Sequence, residues 1–398
     1  MKTDSAQYYP PEIESWWVHR VCSYYKIEDE NTALAKIRDN VQSLSDHFTL
    51  NRDELGIDYG RKEYFLLAYG IFFFPQTWAR VRYALCELLD LYEFKMSRKG
   101  PIKILDIGSG TGAAFLSTVQ LLRARGINNP IHVDIIDHSR NSLEIAKNIL
   151  NNNRFLFGEV KLQTKVEDCS LFIDKKEKNF EEYHIVMASF SINEIMVQLD
   201  FKKQNDLISK LQKKCRPKGL LLIMEPALKE TAERLQTIRD HRLKEGESFS
   251  WGPYLSDKKC PFLEKGKFWN HEVRIWHPPK SLRTVNTKLW RKVRELKFSY
   301  VAFSKLQSLE FEISNSLFRI VSPVTKKKGK FMLFGVSSAG NHCSYDCQTR
   351  NMNSDEKKEF ESFERGDILS IQGIQNLGQE NCFRIPGLKS ISVLSKIR

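Results

Sequence analysis

The residues best placed to do chemistry lie in ILDIGSGTGAAFLS, Ile104 to Ser117. Asp106 is followed by Gly108, Ser109, Gly110, Thr111 and Gly112, a D-x-G-x-G-x-G spacing between an apolar run and a helix-like run. A dinucleotide loop would read G-x-G-x-x-G and place its last glycine at Ala113. A phosphate-cradling loop needs Gly-Lys-Ser/Thr, which is absent here. The spacing therefore fits a ligand that approaches the backbone closely without a pyrophosphate. Glycines permit positive φ and remove Cβ atoms from the contact surface. Asp106, at the end of the apolar run, can join the hydrogen-bond network around a ligand's ammonium group. Asp137 closes a second apolar run, where an acid accepts hydrogen bonds from ribose hydroxyls. Asp168 and Glu167, in KVEDCS, are candidates near an adenine ring.

A second group follows the fourth strand-like run. In SFSINEI, Ser191, Asn193 and Glu194 fall at a strand's C-terminal end, where open α/β sheets place their ligands. Asn193 and Glu194 are the candidate catalytic pair, for positioning and proton transfer. Capping of the next helix is the competing role.

Such residues converge only if a sheet gathers them. Residues 1–98 carry apolar residues at three- and four-residue steps and predict a helical region, with a helix break at Pro75. The basic KMSRKGP segment, Lys95 to Pro101, then leads into the glycine loop. Beyond it, apolar runs at 102–108, 131–137, 159–164, 183–190 and 220–226 alternate with helical stretches. Continuous apolar strands each followed by a helix predict an α/β fold with a mainly parallel, Rossmann-like sheet covered on both faces. This domain is expected over 99–310, with an insertion at 246–282 that is rich in Trp, Pro, His and Lys and lacks a regular element. Residues 311–398 predict a small β-rich extension of short strands and basic turns.

Composition bounds the partners. The 398 residues carry a formal net charge of +13, which favours a polyanion, nucleic acid ahead of anionic lipid. Basic runs interleaved with aromatics, among them KKKGK (326–330), KKCRPK (213–218), RLKEGE (242–247) and RTVNTKLWRKVR (283–294), favour RNA over a small metabolite or a protein substrate. The most apolar run, Tyr64 to Phe74, is too short to cross a bilayer, and the first residues lack an apolar signal core. Eight scattered cysteines fit reduced thiols. The expectation is a cytoplasmic protein, monomeric and without a membrane partner.

The glycine loop resembles that of class I methyltransferases, whose ligand is S-adenosylmethionine (SAM). Further segments narrow the resemblance: YFLLAYGIFFFPQTWARVRYALCEL, ASFSINEI, MEPALKETAERLQTIRDHRL, CPFLEKGKFWNHE, LKFSYVAF and RIVSPVTKKKGKFMLFGV. With these, the chain resembles the methyltransferase-like proteins of the bacterial and mitochondrial small ribosomal subunit over roughly residues 60 to 340. The resemblance implies SAM as cofactor and association with small-subunit ribosomal RNA during ribosome biogenesis. Mitochondrial members carry four cysteines that bind an iron–sulfur cluster. Set against them, this chain keeps Cys260 and has Tyr254, Asn270 and Val336 at the other three positions. One thiolate cannot hold such a cluster, so no iron–sulfur cluster is expected. Cys343, Cys347, His271 and His277 offer another donor set, against which stands their reading as ordinary side chains; no metal is expected.

Neither the Asn/Asp-Pro-Pro-aromatic motif of amino methylation nor a Pro-Cys nucleophile is present, since residues 260–261 read Cys-Pro. Two functions follow. The first is a SAM-dependent methyltransferase acting on ribosomal RNA. The second is a catalytically inactive assembly factor that uses a methyltransferase fold to bind RNA.

Overall fold

In the computed structural model, which describes residues 2–49, 60, 62–91, 100–169, 171, 182–263, 266, 268–290, 292–307 and 317–397, three helices precede the first strand. They are α1 (Pro11–Tyr25), α2 (Glu30–Thr49) and α3 (Glu63–Leu91). The basic segment expected at 95–101 falls outside the described residues up to position 99. α3 is apolar on nearly every side and buried along most of its length, so it is a core helix. The break expected at Pro75 does not occur, and the helix runs through it. Proline removes one backbone donor, while the Gln76 side chain donates to the Phe72 carbonyl at 2.8 Å beside the gap. Packing on all sides holds the rest.

The next elements alternate as the apolar runs do. They are β1 (Ile102–Ile107), α4 (Ala113–Ala124), β2 (Ile131–Asp137), α5 (Arg140–Asn152), α6 (Arg154–Phe157) and β3 (Val160–Val166). Then come β4 (Tyr183–Ser189), α7 (Asn193–Val197), α8 (Phe201–Lys213), β5 (Cys215–Glu225), α9 (Lys229–Lys244) and β6 (Phe249–Gly252). β7 (Glu272–Ile275), α10 (Lys280–Asn286) and β8 (Glu295–Ser304) complete the sheet, whose order is β3-β2-β1-β4-β5-β8-β6 with β7 on β8. β1 to β5 are parallel and β8 is antiparallel to β5. The chain winds outward from β1 to β3, then crosses to the other side of β1 for β4. That reversal opens a crevice at the strands' C-terminal ends. Ile185 and Met187 pack towards α1–α5, while Val186 and Ala188 pack towards α8 and α9. Burial on both faces is why these strands read as unbroken apolar runs.

The segment 246–282 differs from expectation, because it supplies β6 and β7, both paired with β8. FSWG and EVRI are four residues each, and their small and charged side chains hide a period of two. Pairing with β8 supplies what local propensity does not.

The C-terminal strands number more than the sequence pattern indicates. β9 (Leu317–Ile320), β10 (Thr325–Lys327), β11 (Lys330–Ser337), β12 (His342–Gln348), α11 (Ser354–Glu361), β13 (Ile368–Ile371), β14 (Gln375–Asn376), β15 (Cys382–Ile385) and β16 (Ile391–Ser395) follow in turn. The strands form a second sheet, ordered β14-β15-β12-β11-β9-β13-β16 with β10 on β11, around a core that includes Phe318, Phe331, Tyr345 and Phe360. No helix among the described residues is long and apolar enough to cross a membrane.

A buried charge network joins the parts. Arg319 of β9 lies 2.6 Å from Glu87 of α3 and 2.9 Å from Glu272 of β7. Arg274 of β7 lies 3.0 Å from Glu272 and 3.4 Å from Glu87. The Tyr300 hydroxyl of β8 donates to Glu87 at 2.8 Å. Burial alone would raise the Glu272 carboxyl, but Arg319 and Arg274 outweigh it and hold it down at about 2. With a depressed folded-state value, its contribution is present at neutral pH and is lost as the pH falls towards 2. Glu87→Ala strands two guanidiniums with one carboxylate between them. It is expected to cost roughly 3–5 kcal/mol, read from urea unfolding at pH 7.

Candidate functional site

The loop after β1 turns on three positive φ angles, 66° at Gly108, 53° at Gly110 and 87° at Gly112. Their duties differ. A Cβ on Gly108 would sit 2.2 Å from the Ser191 Cβ, and one on Gly112 would sit 2.5 Å from the Phe115 ring. These two glycines let the loop pack. A Cβ on Gly110 would meet nothing within 4 Å, so its backbone faces open space. The Gly110 amide donates to Asp137 Oδ2 at 2.8 Å, and the Ser139 amide donates to Oδ1 at 2.8 Å, which fixes the acid at the end of β2 beside the loop.

Asp106 sits beneath this opening, 1% exposed, and neither carboxylate oxygen has a hydrogen-bond partner. The hydroxyls of Ser109 and Thr111 are likewise buried and unpartnered. Burial pushes the Asp106 carboxyl up to about 8, and the charge of Asp137 adds to this. The Ser109 hydroxyl and Phe115 amide, nearby but outside hydrogen-bond geometry, temper the rise. A buried acid with no partner is costly, and a cationic group in the opening would supply what it lacks.

The structure brings Cys169 and its neighbour Asp168 to the same loop. Burial pushes the Cys169 thiol up to about 12, with further upward contributions from Asp137 and Asp168 and an opposing one from the Gly108 amide. Asp168 itself is exposed, whereas Glu167 turns to Lys165 at 2.6 Å and its amide donates to the Asp137 carbonyl. Asn193 and Glu194 open α7, half-buried and exposed respectively. Neither is the cap, because Ile192 holds that position without a side-chain bond. Ser191 donates to the Ile107 carbonyl at 2.7 Å and ties this turn to β1.

Three residues of the site were not anticipated from the sequence. Phe190 follows β4 with a φ of 61°, a strained conformation for a bulky residue. Arg80 of α3 stacks on its ring at 5.1 Å and donates to Gln76 at 3.0 Å. Burial lowers the Arg80 guanidinium to about 10. Tyr69, about three turns earlier on the same face of α3, is pushed up to about 12 by burial, with Arg80, Asp137 and Asp106 all within electrostatic reach. The available signal was a polar stripe, Tyr69, Gln76 and Arg80, on one face of an apolar helix.

Residues 63–354 match the family of the mitochondrial small ribosomal subunit protein Rsm22. The chain belongs to that family. No curated protein sequence matches it. Among solved structures, the Bacillus subtilis YcgJ protein is 12% identical at a TM-score of 0.25, over 40% of this chain and 58% of its own. A Synechocystis magnesium protoporphyrin IX methyltransferase with bound SAM is 12% identical at a TM-score of 0.34, over 67% of this chain and 97% of its own. A citrinin polyketide synthase CMeT domain is 13% identical at a TM-score of 0.37, over 70% of each chain. The chain spans 58%, 41% and 27% of the first three structures it matches. These likenesses are distant, and the strand order itself carries the fold: an Rsm22-family chain built on a doubly wound, Rossmann-like sheet.

At the positions where the Rsm22-like resemblance implies cysteines, Tyr254, Cys260 and Val336 meet in one apolar cluster with Phe262. The Tyr254 hydroxyl lies 2.9 Å from the Cys260 sulfur. Asn270 is buried, its carbonyl accepting from Ser299. The second donor set does not assemble. Cys343 and Cys347 lie in the core of the second sheet, His271 contacts Arg365 at 3.0 Å, and His277 is exposed. Among the described residues, no group of three or more His, Cys, Asp and Glu side chains could hold a metal ion.

Because Asp106 titrates near 8 when folded, against about 4 for an ordinary carboxyl, its contribution to stability is present at acid pH and lost as the pH climbs towards 8. Asp106→Asn is expected to flatten that decline and raise stability at pH 8 by more than about 1 kcal/mol, measured by urea unfolding from pH 5 to 9.

Proposed function

We propose that the chain binds SAM in the glycine-loop crevice and acts on small-subunit ribosomal RNA as a methyltransferase. The observation that carries this is the pair formed by Asp106, buried with both carboxylate oxygens unpartnered, and Gly110, whose backbone faces open space. The residues fit the group. Asp106 would take the ammonium, and Arg80 the carboxylate, of the ligand's amino-acid end. Asp137 accepts from ribose hydroxyls, keeping lone pairs beyond the two amides it already holds. The turn of Asp168 and Cys169 borders the adenine side. When bound, SAM supplies an electrophilic methyl group. The chain's own part is to hold the target at the end of β4, where Asn193 orients the nucleophile and Glu194 receives its proton.

The net charge of +13 and membership of a small-subunit family support RNA as the partner. One observation favours the second reading, an assembly factor that binds cofactor without transferring a methyl group. Glu194 is exposed at the start of a five-residue helix, a weakly enclosed setting for a base.

Calorimetry is expected to find SAM binding in the micromolar range that Asp106→Ala or Gly110→Trp abolishes. Since a bound ammonium favours the ionised form of Asp106, binding at pH 7 releases most of a proton, whereas at pH 9.5, where Asp106 is already ionised and the free ligand's amine is mostly neutral, binding takes one up. Buffers of different ionisation enthalpy read that exchange, and no binding at either pH would sink the cofactor assignment. Mass spectrometry of small-subunit RNA, from cells with and without the protein, separates the two readings. A methyl group lost with the protein identifies the enzyme, and an unchanged RNA identifies the assembly factor.

A further inference from the structure

The basic runs of the sequence are not equivalent in the fold. In the run at 213–218, Lys214 is buried. In the run at 242–247, Arg242 is buried and bonded to Gln212, Asn205 and Ser248. Those cations hold the structure. The run at 326–330 is largely exposed but carries no aromatic residue, and Lys326 pairs with Glu361, whereas the run at 283–294 exposes Arg283, Lys288, Lys292 and Arg294 around a tryptophan.

This run forms the end of α10 and the loop after it, packed on α2. An open groove of about 530 Å³ lies between them. Leu34, Ala35 and Val285 give it an apolar floor, and Arg38, Arg283 and Lys288 bring three cations and no acid to its lining. Of nearby acids, Asp39 lies 3.9 Å from Arg38, and Asp29 is spent on Thr32 at the start of α2.

Beside the groove stands Trp290, 90% exposed, while the other six tryptophans are buried or half-buried. Its exposure is built in rather than the result of a loose loop. Leu289 is anchored in the main core, and Asn286 brackets the loop with two bonds of 2.8 Å to Val293. The Trp290 amide donates to Gln42 of α2 at 3.3 Å. An indole held in water beside clustered cations has the two components that unpaired nucleic acid requires, a stacking face and phosphate partners.

We propose that the α2–α10 groove binds an unpaired stretch of RNA, with phosphates on Arg38, Arg283 and Lys288 and one base stacked on Trp290. This rests on the reading of the chain as a ribosomal-RNA-docking protein and assigns that docking to a surface. A duplex keeps its bases inside its stack and gains nothing from an exposed indole, so the groove selects single strands.

The test is fluorescence anisotropy of an unstructured oligoribonucleotide of about 12 nucleotides, a length within the usual site size, with the full chain at graded salt. Trp290→Ala is expected to weaken binding about tenfold, and Trp290→Phe, which keeps an aromatic face, less than about threefold. Arg283→Ala with Lys288→Ala is expected to flatten the log–log salt dependence by about 1.4. All of these positions are exposed, and an unchanged melting temperature checks that the variants fold. If the unaltered chain binds and the variants bind equally well, the groove is overturned while RNA docking stands. If the unaltered chain binds no RNA, the docking reading falls and the groove with it. Equal competition by a duplex or by polyglutamate would also overturn the assignment, pointing to a surface for any polyanion.

Discussion

Glu87, Glu272, Arg274 and Arg319 form a square of opposite charges away from water, and its corners come from three separate stretches of chain. Glu87 comes from the helical region, Glu272 and Arg274 from the strand beside β8, and Arg319 from the second sheet. Two carboxylates and two guanidiniums neutralise one another, so the set is tolerable only when all four are present. Arg274 is further enclosed by the Arg365 carbonyl at 2.8 Å, the Tyr83 ring at 5.6 Å and Gly366, where a Cβ would lie 2.0 Å from it. An apolar contact can slide, whereas this one fixes the register between three parts of the molecule.

The constraint reaches the site through α3. Glu87 sits near the C-terminal end of that helix, and Arg80 and Tyr69, about two and five turns before it, face the site. Fixing Glu87 against β7, β8 and β9 therefore also fixes the wall that faces the glycine loop. The crevice gathers several costly features in one place: an unpartnered buried acid at Asp106, idle hydroxyls at Ser109 and Thr111, and a left-handed Phe190. Such features persist where surrounding packing over-determines them. Here that packing is the apolar layer of α3, α4 and the central strands.

Sequence pattern located what depends on local order and missed what depends on pairing. The central parallel strands were legible because burial on both faces leaves unbroken apolar runs, as at Ile185 to Ala188, whereas the edge strand β3 is largely exposed and mixes polar residues with apolar ones. The loop at Asp106 to Gly112 was legible because backbone sterics demand glycine at set positions. β6 and β7 were not, since four residues with Ser, Gly or Arg among them become strands only against β8. Pro75 misled because the packing of α3 on its neighbours outweighs the lost backbone donor, and local sequence does not show that packing. Arg80 and Tyr69 lie at least 26 residues before Asp106 in the chain, and only the packing of α3 on α4 brings them to it.

Net charge is the feature most easily misread from sequence. The +13 counts every arginine alike, yet several act inward. Arg82 binds the carbonyls of Thr3 and Ser5, and Arg239 binds those of Ser256 and Lys258, so each orders a segment without regular structure. Arg274 and Arg319 are neutralised in the charge square. A guanidinium satisfied by carbonyls or carboxylates inside the protein adds little to the field that a polyanion meets, because that field is set by local exposed charge. The composition therefore indicates a polyanionic partner for a reason that is only partly sound. The proposed RNA surface is the short stretch from Arg283 to Arg294, where exposed cations and an exposed indole coincide.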